Sequence, residues 1–219
     1  MKLAVAPLVL STATFGLMLG VSQNAQAAGL IRNVTASTNI STASGWDIQN
    51  TTNGRGLQGP PLNQPTLTGT HASSAGSNAW RSNSSTYTGN IEFNLNKIYN
   101  LAGFSFWNLG GGAQTTLQGI KNVTIQYKLG TAGAWTTLTG APTSFAKGAS
   151  SGSVAVENFN FAPVYATHVR FSNMTNWGST GTFNRLGFSE IQFTSIPEPS
   201  STLALLALGL AGVGLRKRV

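Results

Sequence analysis

Few side chains of this sequence could serve as a catalytic acid, base or nucleophile partner. The 219 residues contain two histidines, five acidic residues and no cysteine. A Ser-His-Asp site needs a histidine oriented by a carboxylate, but His168 alternates with Val169 beside Arg170, as a surface strand residue does. Glycoside hydrolysis needs two carboxylates facing one another, whereas the acids here are widely separated along the chain. Zinc would lack cysteine and paired histidine ligands, so we expect a protein that is not an enzyme.

Sugar binding suits the available side chains better than catalysis does. A pyranose stacks its apolar face on an aromatic plane, while amide, guanidinium and imidazole groups bond its hydroxyls. We expect Trp177 to be the stacking platform, because Asn, Gly and Ser surround it in the segment NMTNWGSTG. The alternative, in which its ring folds down to cap the fold, stays open. The full set of expected ligand-binding residues is Trp177, Asn108, His71, Trp46 and Arg81.

The other tryptophans have different expected places. We expect Trp80 and Trp135 to pack in the core. Trp107 alternates with Phe104 and Phe106 along its segment, so its side chain points to the opposite face of a strand. That face is either an outer surface or a contact with a second sheet.

Both ends of the chain differ from its middle. Leu203 to Leu215 carries no charge and would span about 20 Å as a helix, against a hydrocarbon core of about 30 Å. The cluster Arg216, Lys217 and Arg218 that follows predicts a cytoplasmic C-terminus. At the other end, an apolar run after Lys2 leads to Ala25-Gln-Ala27, which predicts a signal peptide over residues 1–27 with cleavage after Ala27.

The C-terminal segment, residues 196–219, resembles the PEP-CTERM sorting signal of Gram-negative bacteria. Its parts are the motif Pro197, Glu198, Pro199, a short transmembrane span and the basic cluster. The resemblance implies recognition by an exosortase, a membrane transpeptidase, after signal peptidase has acted. It also implies export across the inner membrane, a transient membrane anchor, and a final place at the cell surface or outside the cell, together with exopolysaccharide and biofilm.

The middle of the chain, residues 28–195, is expected to form one domain without disulfides. It contains nine Lys and Arg residues against four acids, and its cations occur singly along the sequence. A basic cluster typical of nucleic-acid binding is therefore lacking, and we expect no nucleic-acid partner.

Period-two alternation predicts strands in this domain. It is clearest in IEFNLN (91–96), NVTIQYKL (122–129) and THVRF (167–171). Further strands are predicted within 101–109, 156–164 and 186–193. No long amphipathic helix is predicted, so the expected fold is an all-β antiparallel β-sandwich.

The order of these segments resembles the discoidin domain, also called the coagulation factor type C (F5/8 type C) or galactose-binding-like domain. The resemblance is carried by IQNTTNGRGL, NAWRS, the strands named above and the closing LGFSEIQF. It implies an eight-stranded jelly roll. Residues 58–77, QGPPLNQPTLTGTHASSAGS, form a longer insertion than this family usually has.

The same resemblance implies a structural Ca²⁺. Members of this family commonly hold one beside the binding loops, and the matching positions here are Asn50, Asn53 and Glu190. Asn53-Gly54 replaces the Asp-Gly that the family often has, which removes a charge and predicts a weak site. Asn-Gly is also a favourable turn dipeptide, so a turn role alone stays open for Asn53.

Two functions remain open from the sequence. The first is a non-catalytic protein that binds carbohydrate or accompanies exopolysaccharide at the surface or in the matrix. The second is a structural biofilm-matrix or adhesion protein that binds other proteins.

Overall fold

The computed structural model describes residues 29–86, 88–178 and 184–196. They form eight strands, and every pair of these strands is antiparallel. The strands are β1 (Gly29–Leu30), β2 (Thr35–Thr38), β3 (Trp80–Arg81), β4 (Ile91–Asn108), β5 (Thr124–Lys128), β6 (Thr136–Thr137), β7 (Glu157–Ser172) and β8 (Gly187–Ser195). The short helix α1 (Ala113–Leu117) and a 3₁₀ turn (Ile48–Thr51) accompany them. The all-β antiparallel prediction is confirmed.

The predicted signal helix and C-terminal helix lie outside the described residues. Within the ranges that are described, no helix is long and apolar enough to cross a membrane.

Two long bent strands create the layered architecture. The segments predicted as separate strands at 91–96 and 101–109 form the single strand β4, and those at 156–164 and 167–171 form β7. The β4–β7 pairing shifts register between Asn94 and Tyr99, where Asn96 has a φ of 68°. Asparagine tolerates this left-handed conformation better than most residues, so the paired strands can fold over at this point.

The folded-over strands place two sheet layers face to face. One layer has the order β2–β4–β7–β5–β6 through the first half of β4 and the second half of β7. The other has β8 beside the second half of β4, with β7 on one edge and β1 and β3 on the other. Phe93 in the first layer lies 5.3 Å from Phe193 in the second, measured between ring centroids. The layers therefore form a sandwich.

Aromatic rings fill the space between the layers. The Phe106 ring stacks on Phe145 with the ring centroids 3.9 Å apart, and lies 5.5 Å from Phe188 on its other side. Phe171 contacts the rings of both layers. Since the chain has no cysteine, burial of these rings supplies the stability that disulfides give many exported domains.

Different strand ends and loops lie at the two ends of the sandwich. At one end, which we call the rim, β4 and β7 end and β5 and β8 begin. The loop after α1 joins both layers there, through bridges from Gly119 to Gly187 and from Ile120 to Asn176. The opposite end, which we call the exit end, contains the bend of β4, and Ile196 leaves the sandwich there.

Candidate functional site

The insertion forms a cover over the outer face of the second layer. Its Gly69 carbonyl accepts a hydrogen bond from Trp107 Nε1 at 3.1 Å, and its Leu67 carbonyl accepts one from Ser105 Oγ at 2.8 Å. Trp107 is fully buried there with Leu57 and Val154. The ring therefore points away from the central core, as alternation predicted, but a loop covers it, so Trp107 is not available to a ligand.

The expected hydroxyl partner His71 is part of this cover. It is fully buried, and its ring nitrogens lie 2.7 Å from the Ala72 carbonyl oxygen and 3.0 Å from that of Arg55. Burial lowers the pKa of His71, although the neighbouring carbonyls oppose this shift. The prediction that His71 contacts a ligand is wrong for this structure, because the ring is fully buried and both nitrogens face backbone carbonyls inside the fold.

Asn108, the other expected hydroxyl partner, also has a structural position. Its Nδ2 donates to the carbonyls of Ile120 at 2.7 Å and Ala146 at 2.8 Å. Its Oδ1 accepts from the Leu109 N–H at 3.0 Å. This buried amide fastens two loops to the end of β4, so the prediction of a ligand contact at Asn108 is also corrected.

Trp46 and Arg81 are brought together at the rim. The Ala43 N–H donates to the Arg81 carbonyl at 2.9 Å, and the Ala43 carbonyl accepts a hydrogen bond from the Trp46 N–H at 3.0 Å. This turn places the Arg81 guanidinium carbon 4.1 Å from the centroid of the half-buried Trp46 ring. A cation at this distance is attracted to the ring face, so the two side chains hold one another in place.

Arg81 is an electrostatically unusual cation. Its Nη1 donates to Gln118 Oε1 at 3.3 Å, while its buried Nε has no hydrogen-bond partner among the described residues. Burial lowers the pKa of Arg81, and the positive charge of Arg185 lowers it further. The Nε–H is therefore enclosed in the fold, and only the exposed part of the half-buried Arg81 side chain can meet a ligand.

Trp177 lies at the same end. The neighbouring Gly178 N–H donates to the Leu117 carbonyl at 2.7 Å, and Leu117 directly precedes the Arg81 partner Gln118. The Trp177 ring is half-buried, with Lys121 Nζ 5.1 Å from its centroid. Its indole nitrogen is buried without a partner in the described part of the chain. Part of the ring remains open to a ligand, while its indole nitrogen is covered.

The two tryptophans expected in the core have different outcomes. Trp80 is fully buried in the core cluster, which confirms its prediction. Trp135 is half-buried on the outer face of the first layer, where its ring centroid lies 3.9 Å from the Arg170 Cζ and 4.7 Å from Lys128 Nζ. The core prediction for Trp135 is wrong, because its ring is half-exposed and has cations over it.

Three rim residues were missed by sequence reasoning: Gln118, Lys121 and Arg185. Lys121 and Arg185 each come shortly before a predicted strand. A cation that directly precedes a predicted strand was the sequence signal available for these two residues. It indicates a shared site only when it is known which strands begin at the same end of the sandwich.

Of the predicted calcium ligands, Glu190 lies within β8, and Asn50 and Asn53 lie in the segment of the 3₁₀ turn and the turn after it. Glu190 is fully buried, and its Oε1 accepts hydrogen bonds from the Gly54 N–H at 3.1 Å and from the Gln192 side-chain amide. Burial raises the pKa of Glu190 well above its usual range, and these two donors oppose the shift. Asn53 Oδ1 accepts from the Arg55 N–H at 2.8 Å, which is the turn geometry that Asn-Gly predicts. Glu190 and the Asn53-Gly54 turn are therefore neighbours, as the resemblance implied.

Some of the predicted residues offer oxygen ligands that suit Ca²⁺, and others do not. Glu190 Oε2 is buried and has no hydrogen-bond partner among the described residues, and a cation would compensate its charge. Asn50, by contrast, uses its Nδ2 to donate to the carbonyls of Gly76 at 2.9 Å and Ala79 at 3.4 Å. The described ranges hold no group of three or more histidine or acidic side chains suited to a metal. Glu190, Asn53 and loop carbonyls would have to supply the oxygen ligands of Ca²⁺.

We expect Ca²⁺ to stabilise this loop without being required for folding. At millimolar Ca²⁺ a weak site should add about 1 to 2 kcal/mol to the free energy of unfolding. Thermal melts of the full-length chain with Ca²⁺ and with a chelator measure this difference. In Glu190→Gln the difference should disappear, because the one anionic ligand is removed. An equal melting temperature with and without chelator argues against the site, and unfolding on chelation shows a larger role.

Comparison with protein families identifies the motif at the C-terminal end of the chain. The model of the PEP-CTERM protein-sorting motif matches residues 195–218, so the chain carries this sorting motif, as predicted. A comparison with curated proteins found no match.

Among solved structures, the chain is similar to family 32 carbohydrate-binding modules. One is GH31 CBM32-2 bound to GalNAc, with a TM-score of 0.51 and 16% identity over 75% of this chain and 97% of that module. Another is CBM32-3 from a family 31 glycoside hydrolase of Clostridium perfringens, with a TM-score of 0.50 and 16% identity over 77% and 94%. These modules are discoidin-like galactose-binding folds. The predicted discoidin-like jelly roll is therefore confirmed, and the match is to a binding module rather than to a catalytic domain.

Proposed function

We propose that this protein is exported, is sorted through its C-terminal motif, and binds carbohydrate without catalysis at the rim of its sandwich. The observation that carries the proposal is the arrangement of Trp46, Arg81 and Trp177 at one end of a discoidin-like fold. Half-buried indole rings offer stacking surfaces to a pyranose, and the guanidinium offers hydrogen-bond donors to its hydroxyls.

The position of the rim relative to the sorting segment supports this proposal. The Ile196 N–H bonds to the Asn100 carbonyl at the exit end, at 3.0 Å, whereas β8 begins at the rim with Gly187 beside Arg81. From Gly187 to Ser195 a strand spans about 26 Å at roughly 3.3 Å per residue. A chain held at a membrane through residues beyond Ile196 would therefore present the rim away from that membrane.

The state of the possible catalytic groups also supports a binding role. His71 is enclosed with both ring nitrogens against backbone carbonyls, and Glu190 is fully buried. Glu92 is paired with Arg170 at 2.6 Å on the first layer. The rim is lined by indole rings, an amide and cations, which suit recognition rather than acid-base chemistry.

The proposed route uses three processing steps. Signal peptidase cuts after Ala27 during export, the apolar C-terminal segment holds the protein briefly in the inner membrane, and an exosortase acts at the sorting motif. The sandwich, residues 28–195, is then released to or retained at the cell surface or extracellular matrix of a Gram-negative bacterium. In that place it meets the exopolysaccharide that we propose as its ligand.

Neutralising the terminal cations should disturb this route. In a variant with Arg216, Lys217 and Arg218 replaced by glutamine, the tail should stay uncut or the protein should be misplaced, since cytoplasmic cations fix the orientation of a span. Intact mass and cell fractionation in an exosortase-bearing host measure both outcomes. Arg32→Gln, an exposed cation of the sandwich, serves as the control. If the triple variant keeps the mass and location of the unchanged protein, the proposed role of the cations is wrong.

Protein contact is the second candidate function, and a specific feature favours it. Ile98, Leu129 and Tyr165 are exposed by 58%, 50% and 53% at or near the exit end. Exposed apolar side chains gathered at one end are typical of contact surfaces. In that case the sandwich would be a structural matrix or adhesion protein, and the rim would not need to bind sugar.

A further inference from the structure

Every half-buried tryptophan in the described ranges has a cation over its ring. The distances to the ring centroids are 4.1 Å from the Arg81 guanidinium to Trp46, 5.1 Å from Lys121 Nζ to Trp177, and 3.9 Å from the Arg170 guanidinium to Trp135. Trp80 and Trp107, which are fully buried, have no such partner there. Two of the three pairs lie at the rim. A ligand that reaches either rim indole therefore meets a positive charge at the same point.

The rim cations are not neutralised by acidic side chains. Among the described residues the one ion pair is Arg170–Glu92 on the first layer, so Arg81, Lys121 and Arg185 have no carboxylate within ion-pair distance. Asp47 follows Trp46, but its Oδ1 accepts the Gln49 N–H at 3.0 Å as the cap of the 3₁₀ turn.

The two arginines of the rim repel one another. Burial and the positive charge of Arg185 both lower the pKa of Arg81 and so disfavour its charged form, and no carboxylate of the described residues forms an ion pair with either side chain. Like charges held together in a partly desolvated site repel one another, and an anion bound between them relieves this cost. Guanidinium groups bind carboxylate and sulfate oxygens with particularly favourable geometry.

We infer that the rim takes an acidic polysaccharide, one whose pyranose units carry carboxylate or sulfate groups. This inference rests on the proposed carbohydrate-binding function and specifies its ligand class. Such a sugar unit presents an apolar face to the indole of Trp46 or Trp177 and an anion to Arg81 or Lys121. A neutral sugar would stack on the indole rings but would leave the cations without a counter-charge.

Matched pairs of glycans test the charge requirement. The full-length chain, purified in mild detergent, is titrated with polygalacturonate and with its methyl ester, which keeps the backbone and removes the charge. Dextran sulfate and dextran form the corresponding pair for sulfate. At least one acidic member should bind about tenfold or more tightly than its neutral partner, and added salt should weaken that binding because salt screens exposed charges.

Charge variants separate a specific site from general attraction to a basic protein. Binding of the acidic glycan should become about tenfold weaker in Arg81→Gln. The same loss is expected in Lys121→Gln, at an exposed position. Lys97→Gln removes a cation that lies over Tyr99 at the exit end and should leave the affinity unchanged. Equal losses in all three variants would overturn the inference, because the binding would then follow net charge alone.

The failures of the two proposals differ. If neutral glycans bind as tightly as their acidic partners, the acidic ligand class is wrong and carbohydrate binding stands. If neither member of either pair binds, the acidic ligand class is wrong, and carbohydrate binding itself fails only when a broad panel of neutral glycans also shows no binding.

Discussion

A chain in which Trp46 and Trp177 are both replaced by alanine is expected to bind glycan roughly 100-fold more weakly, since each lost anchor ring costs about 1 to 3 kcal/mol and 1.4 kcal/mol is tenfold. The two rings lie at the same end of the sandwich, connected through Gln118, which bonds Arg81 and follows the Leu117 partner of Gly178. Both are half-buried, so each has surface left for a ligand to cover.

Trp135→Ala is the matched control for this variant. Trp135 is also half-buried and also has a cation over its ring, but it lies on the outer face of the first layer. Its replacement should leave glycan affinity unchanged. Titration gives the affinities, and circular dichroism with thermal melts shows whether the double variant stays folded. An affinity that falls as far in Trp135→Ala as in the double variant would contradict the rim as the binding site.

A second large effect is expected in the core, where Phe171→Ala should lower the free energy of unfolding by about 3 to 5 kcal/mol. The ring is fully buried and lies 5.2 Å from Phe93, 5.7 Å from Phe145 and 6.2 Å from Phe104, measured between centroids. Its removal leaves a cavity bordered by both layers. The chain has no disulfide to limit the loss, so the variant should be close to the limit of folding.

Denaturant unfolding of the full-length chain measures this loss. Tyr165→Ala on the same strand is the control, because Tyr165 is 53% exposed and its replacement should change the free energy by less than about 0.5 kcal/mol. Similar small changes at both positions would mean that the aromatic cluster between the layers contributes much less than its burial implies.

The fold could be predicted from the sequence because it depends on alternation and order. Period-two patterns located parts of β4, β5 and β7, and the closing LGFSEIQF, expected as a further strand, forms the fully buried strand β8. The continuity of β4 through Asn96 could not be predicted, since local pattern alone does not distinguish a bend within a strand from a turn between two strands. That bend sets the positions of the two layers.

The site was predicted only in part, because burial of its residues depends on the path of the insertion. His71 and Asn108 have the residue types of sugar-binding groups, and both lie near predicted loops. In the fold, however, His71 lies within the insertion that covers Trp107, and Asn108 fastens converging loops. Trp46 and Arg81, both expected to bind ligand, lie together at the rim, Arg81 within the short strand β3 and Trp46 in the turn beside it. Their contact is a tertiary feature without a sequence signal.

The cations of the rim illustrate the same limit. Arg81, Lys121 and Arg185 are widely separated along the chain, so no basic cluster is visible in the sequence. They meet at one end because β3 and β8 pair there and the loop after α1 bridges to Asn176. Strand pairing, which connects distant segments, decides such groupings.

Direct binding of the full-length chain to a broad panel of immobilised neutral and acidic polysaccharides tests carbohydrate binding most directly. Saturable binding to at least one glycan is expected, with competition by the same glycan in solution and loss in the Trp46/Trp177 double variant. Absence of binding to every glycan, by a chain shown to be folded, would contradict carbohydrate binding and favour a structural protein that contacts other proteins.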